Sequence, residues 1–103
     1  MENDENRFYV CETGVVLFVK EKPGIYEGHI FCIPEGRGRQ ALNLGHRALK
    51  ALFDDPTTIC VRAAVPLGLP AARFLCRALG MSSQYVTDRF EHFTLETYNG
   101  RNR

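Results

Sequence analysis

The chain contains no C-x-x-C pair and no H-E-x-x-H run, and His29, His46 and His92 form no ligand pattern with its cysteines. Spacings of that kind are what zinc sites require, so no metal is expected. Cys11, Cys32, Cys60 and Cys76 each sit in an apolar context and read as free thiols that pack as small hydrophobes. No apolar run approaches the roughly 18 residues that cross a bilayer, which leaves no membrane role. An excess of one charge is also missing. Thirteen basic and twelve acidic side chains give a net +1, which argues against a general nucleic-acid binder. Residues 1–6 are acidic and polar, the opposite of a secretory signal, and the cytoplasm is the expected location. No repeat, linker or low-complexity segment interrupts the sequence.

What is present suits one modest core. With 103 residues, 45% of them hydrophobic, one domain over 1–103 is expected, with frayed tails at 1–6 and 98–103. Arg7–Cys11 and Val15–Lys20 are β-branched and aromatic runs that predict two strands. Lys22-Pro23-Gly24 is turn chemistry, so a third strand over 26–33 should form a hairpin with the second. Apolar residues at Ala41, Leu44, Gly45, Ala48, Leu49 and Leu52 have the spacing of a helix with one buried face, over about 40–54. His46, Arg47 and Lys50 should lie on its wet side. Asp54-Asp55-Pro56 ends that helix. Thr57–Val65 predicts a fourth strand, parallel to the third through a right-handed βαβ crossover. Pro70 opens a second helix over 71–79, and Gly80 closes it. Arg73 and Arg77 should form a solvated face. Two further strands are expected around 84–86 and 90–96. The fold class is α/β (α+β), a mixed sheet in the order β-β-β-α-β-α-β-β. Phe8, Phe18, Phe31, Phe53, Phe74, Phe90 and Phe93 are read as core.

The most informative stretch runs from Ile33 to Phe53, where an apolar strand ends, a Gly36-Arg37-Gly38-Arg39 turn follows, and a helix begins at once. A helix start presents unpaired N–H groups and about half a positive charge. With Arg37 and Arg39 beside it, the turn is a candidate cradle for a phosphate or pyrophosphate. Its alternative is an ordinary strand–helix turn. Glu27 and His29 lie two apart on one strand and so share a face. They are either a proton-handling pair or two polar residues on a wet sheet face.

Two segments resemble the acetyl-CoA-dependent GNAT acyltransferase superfamily. Pro34-Glu35-Gly36-Arg37-Gly38-Arg39-Gln40-Ala41-Leu42 is similar to its pyrophosphate loop, Arg/Gln-x-x-Gly-x-Gly/Ala. Ala72 and Phe74-Leu75-Cys76-Arg77-Ala78-Leu79-Gly80-Met81 resemble its second signature, which ends in Leu-Gly-Phe. The wording of these segments looks most like GNAT-like proteins encoded by tailed bacteriophages. The sequence departs from the pattern at Glu35 and Gln40, at Leu69 where Asn is frequent, and at Cys76 where a proton-donating Tyr is frequent. It also lacks the usual N-terminal strand and two helices.

The resemblance implies an acyl-CoA-binding protein that moves an acetyl group from acetyl-CoA to an amine. The amides of Arg37, Gly38, Arg39, Gln40 and Ala41 would hold the pyrophosphate. Main-chain groups near Cys32 and Ile33 would pair with the pantetheine arm. Glu27 or His29 would serve as base, and Cys76 as acid or as packing. The alternative is a non-catalytic phage protein acting in virion assembly or host interaction through a phage or host protein partner. Apolar sheet surface around Phe8, Val10, Val16 and Phe18 suggests a homodimer.

Overall fold

The computed structural model describes residues 6–33 and 37–98. Expectations that fall on 1–5, 34–36 and 99–103 lie outside the described residues, namely most of both tails, Pro34, Glu35 and the first loop glycine, Gly36. The elements are β1 (Asn6–Cys11), β2 (Gly14–Lys22), β3 (Ile25–Cys32), α1 (Arg39–Phe53), β4 (Cys60–Pro66), α2 (Pro70–Ala78), β5 (Ser82–Val86) and β6 (Phe90–Leu95). They form one six-stranded sheet in the order β1-β2-β3-β4-β6-β5. Only the β3–β4 pair is parallel. This is the mixed α+β architecture that the periodicity predicts, within a residue or two at most boundaries. Among the described residues no helix is long and apolar enough to cross a membrane.

Local chemistry explains the joints. Gly24 takes φ +82° in the β2–β3 turn, and a Cβ there would lie 2.5 Å from the Thr57 carbonyl oxygen, so the position excludes other residues twice over. The α1–β4 connection differs from expectation. The Thr57 amide and hydroxyl donate to Asp55 Oδ1 at 2.9 and 2.7 Å. The Ile59 and Cys60 amides both donate to the Gly24 carbonyl. These bonds hold Thr57–Ile59 outside the strand, so β4 starts at Cys60 rather than Thr57.

Both helices pack on one face of the sheet. Leu44, Ala48, Leu49 and Leu52 of α1 and Cys76 of α2 join Val16, Phe18, Tyr26, Val61, Val65 and Phe93 in one core. Burying a side chain such as Leu52 contributes about 1.5–3 kcal/mol. Gly45 lets the helices approach, since a Cβ there would lie 2.9 Å from Leu79. The opposite face of the sheet carries no element among the described residues.

Strict alternation therefore corrects several assignments. Val16 and Phe18 point to the helices and are buried, whereas Phe8 (63% exposed) and Val10 (73%) stay on the bare face. Of the phenylalanines, Phe18, Phe53 and Phe93 are core, and Phe8, Phe31, Phe74 and Phe90 are exposed. Arg73 and Arg77 are not a merely solvated face. They donate to the two oxygens of buried Glu91 at 2.9 and 2.5 Å, and Arg77 also covers the Phe93 ring. Asn6 begins β1, and Tyr98 is buried with its hydroxyl bonded to His46, so neither belongs to a loose tail and His46 is not fully on the wet side.

Candidate functional site

Parallel pairing of β3 with β4 covers only Ile25–Glu27 against Cys60–Arg62. Beyond that level β3 stays with β2 to Cys32, and β4 stays with β6 to Pro66. The two strands therefore diverge and leave a gap in the middle of the sheet. A cavity of about 330 Å³ occupies it. Inward-facing Ile30 and Val65 and outward-facing His29 and Ala64 all border this space, so it lies between the strands rather than on one side of the sheet. Leu49 of α1 and Leu75 and Cys76 of α2 close its inner end. The walls are almost wholly apolar.

The gap also strips β3 of a neighbour. The Ile33 amide donates to the Thr13 carbonyl at 2.9 Å. In an antiparallel ladder such bonds fall on alternate residues, so odd-numbered β3 residues bond to β2 and even-numbered ones turn their peptide groups the other way. Ile30 and Cys32 thus face the gap with main-chain donors and acceptors, and Gly28 with its carbonyl, since its amide still belongs to the parallel ladder with β4. Of the two positions the sequence proposes, Cys32 turns its peptide group toward the gap. Ile33 instead commits its amide to the Thr13 carbonyl. Gly28 and Ile30 escaped the sequence reading, since nothing in a single strand reveals where its neighbour leaves it.

At the end of β3 the chain runs through the loop into α1. Gly38 is the N-cap, with φ 72° and ψ −128° and no capping side chain. The first turn carries no acidic residue, and Arg37, Gly38, Arg39 and Gln40 are exposed while Ala41 is buried. Leu42 N–H makes the first helical bond, to Gly38 O, so the amides of Arg39, Gln40 and Ala41 have no partner within the helix. Thr13 donates to Gln40 Oε1 at 3.1 Å, which ties that side chain to the β1–β2 turn. Among the described residues, neither Arg37 nor Arg39 makes an ion pair.

Glu27 and His29 do share the outward face of β3. Glu27 Oε1 lies 3.5 Å from His29 Nε2, and both side chains are more than a third exposed. The His29 ring stacks beside Phe31, with centroids 6.4 Å apart. Cys76 lies on the other side of the gap, on the cavity's inner wall, and burial pushes its thiol up to about 11. The nearby Arg77 guanidinium opposes that rise only in part. The structure thus brings Glu27 and His29 together and sets Cys76 apart from them, across the opening. His92 was overlooked. It stands outward on β6, opposite Ala64, and stacks on Tyr85 at 4.3 Å. The alternation Phe90, His92, Thr94 marks that face in the sequence. Among the described residues, no group of three or more His, Cys, Asp or Glu is placed to hold a metal.

No protein-family model and no curated protein matches this sequence. Solved structures do match. A mutant form of spermidine N-acetyltransferase SpeG from Vibrio cholerae superposes with a TM-score of 0.84 at 20% identity, over 99% of this chain and 73% of that one. The N-acetyltransferase PseH of Campylobacter jejuni in complex with acetyl coenzyme A gives 0.79 at 16% identity, over 92% and 70%. SpeG in complex with CoA and spermine gives 0.76 at 17%, over 92% and 68%. At these identities the likeness speaks for the fold, and the chain has the fold of the GNAT N-acetyltransferases.

Proposed function

We propose that this chain binds acyl-CoA and transfers an acetyl group from acetyl-CoA to an amine. The divergence of β3 from β4 carries this reading. It creates an apolar slot with unpaired strand amides along one side and an uncapped, basic helix start at the end of β3. Such a slot suits a long, narrow ligand that is amide-bearing in the middle and anionic at one end. Two of the structural neighbours were solved with acetyl-CoA or CoA bound. The amides of Gly38, Arg39, Gln40 and Ala41, with the Arg37 side chain, would hold the pyrophosphate. Gly28, Ile30 and Cys32 would pair with the pantetheine arm.

Acetyl-CoA bound there would supply the acetyl group as a thioester. Glu27 and His29, on the outward side, would take the proton that the amine gives up. Burial raises the Cys76 thiol to about 11, so it keeps its proton on the inner wall, and the proton taken up by Glu27 or His29 would return to the leaving sulfur. No metal is needed for this chemistry.

Calorimetric titration with acetyl-CoA tests the reading. Micromolar binding supports it, and no heat at millimolar ligand sinks it. A thiol-release assay with mixed amines then separates transfer from binding alone.

The bare sheet face favours a second reading, a non-catalytic GNAT-fold protein of phage origin that works through a protein partner in virion assembly or host contact. Exposed Phe8 and Val10 at the β1–β2 end of that face also suit a homodimer in the cytoplasm. Tight acetyl-CoA binding without turnover of any amine would support the second reading. Light scattering at micromolar concentration reads the dimer, and a monomer would refute it.

A further inference from the structure

We infer that the acyl tail of the donor turns inward beside Gly28, and that the protein takes short acyl groups longer than acetyl, up to butyryl. This rests on the acyl transfer proposed above and names the donor class and the residue that sets it.

Gly28 is the first residue of β3 beyond the last parallel pair, Glu27 with Arg62. The β2–β3 register runs through it without a bulge, and its backbone is not left-handed. Packing does not require a glycine there either. A Cβ at Gly28 would meet Phe18 and Val61 no closer than 3.4 Å, an ordinary van der Waals contact. At Gly24 and Gly45 the same atom would lie 2.5 and 2.9 Å from its nearest neighbour. A glycine inside a strand weakens it, and one that neither bends the chain nor admits another backbone marks a place where a ligand comes close.

Register shows what the missing side chain leaves open. Tyr26 of β3 and Val61 of β4 point toward the helices and are buried. The next inward positions are Gly28 and Ala63, both on the cavity wall. Ile30 and Val65 follow one step further on. Two small residues thus stand where the strands part, between two levels of larger ones. Buried Phe18, which pairs with Gly28 from β2, bounds this notch on its β2 side.

The notch lies where the thioester arrives. Gly28 is four residues back along β3 from Cys32, about 13 Å at the rise of a strand. A pantetheine arm that starts at the α1 turn and follows the peptide groups of Cys32 and Ile30 brings its sulfur to the closed bottom of the gap. Glu27 and His29 stand on the outward face at that level, so the amine approaches from the bare side of the sheet. The carbonyl carbon then lies between the strands, and its alkyl tail points away from the amine, inward over Gly28. Phe18, Val61 and Met81 make that end apolar, and Leu49 and Leu75 close it. An apolar tail gains by entering. Its length is limited to a few carbons, because the cavity of about 330 Å³ must also hold the arm.

Calorimetric titration of acetyl-, propionyl- and butyryl-CoA into wild-type protein and Gly28→Ala tests this without any acceptor amine. On wild type each added methylene should tighten binding about fourfold, the worth of one buried CH₂, so butyryl-CoA should bind about fifteenfold more tightly than acetyl-CoA. In Gly28→Ala the new methyl group fills the notch and the order should reverse, with butyryl-CoA the weaker ligand. Urea melts should show this variant at least as stable as wild type, since alanine suits a strand better than glycine where the methyl group has room.

Acetyl-CoA binding with no gain for the longer thioesters on wild type would overturn the donor class and leave the transfer proposal standing. The wild-type order alone decides that point, whether or not the variant folds. A gradient that survives unchanged in folded Gly28→Ala would overturn the place of the tail. Failure of all three thioesters to bind would remove the transfer proposal and this inference together.

Discussion

Replacing Gly38 by glutamate and, in parallel, by glutamine isolates the role of charge at the start of α1. Gly38 sits at φ 72° and ψ −128°, a region that side-chain-bearing residues enter at a cost of about 1–3 kcal/mol. A Cβ built there meets nothing within 4 Å, so no clash adds to that strain. Both replacements carry the same strain and nearly the same shape, and they differ by one negative charge. At a helix N-terminus that charge is favourable by about 0.3–1 kcal/mol, so the glutamate protein should be at least as stable as the glutamine protein. For a pyrophosphate the sign reverses. Roughly two negative charges about 6 Å away give a repulsion of about 1.4 kcal/mol even at the dielectric of water, and more in a partly excluded loop. Acetyl-CoA affinity should therefore fall about tenfold or more from Gly38→Gln to Gly38→Glu, and the difference should shrink with added salt. Calorimetric titrations beside urea melts of the three proteins measure both signs. Equal affinities for the two variants, with intact folds, would show that the loop does not hold the phosphates.

Three further outcomes are expected. Ala63→Leu projects into the cavity between β3 and β4 and should abolish acetyl-CoA heat while changing unfolding free energy by no more than about 1–3 kcal/mol, measured by urea denaturation. Asp55 is held down to about 2 from the usual 3.8 by the Thr57 amide and hydroxyl and by Arg7. Because its folded value is depressed, the linked stability is complete above about pH 4 and is lost as pH falls toward 2. An Asp55→Asn protein should lack that part of the acid sensitivity, and parallel acid titrations followed by circular dichroism would expose an error if the two curves coincide. Thiol labelling of the native protein at neutral pH should be slowest at Cys76, where burial raises the thiol, and fastest at Cys11, where the Thr13 hydroxyl lowers it. Mass spectrometry of labelled peptides decides the order, and rapid Cys76 labelling would contradict its placement on the inner wall.

Much of this architecture was legible in the chain itself. The spacing of Ala41, Leu44, Ala48, Leu49 and Leu52 announces α1, and Pro23-Gly24, Asp55-Pro56, Pro70 and Gly80 punctuate the elements, because capping and turn preferences act over a few residues. The loop glycine was legible for the same reason, since Gly38 takes a backbone conformation that few other residues adopt. Errors arose where contacts reach far along the chain. Arg73 and Arg77 read as solvated because their partner, Glu91, lies on a strand 14 to 18 positions away. Phe31, Phe74 and Phe90 read as core because hydrophobicity alone does not say which sheet or helix face is covered.

The order of strands and helices, the parallel crossover and the glycine-and-arginine turn were determined by the sequence alone, through periodicity and local backbone preference. The tertiary structure decided where β3 leaves β4, which peptide groups of β3 turn into the resulting gap, and which rings stack on the bare face of the sheet. Those features depend on register between strands far apart in the chain and on both helices settling on the same face, and no local pattern encodes either.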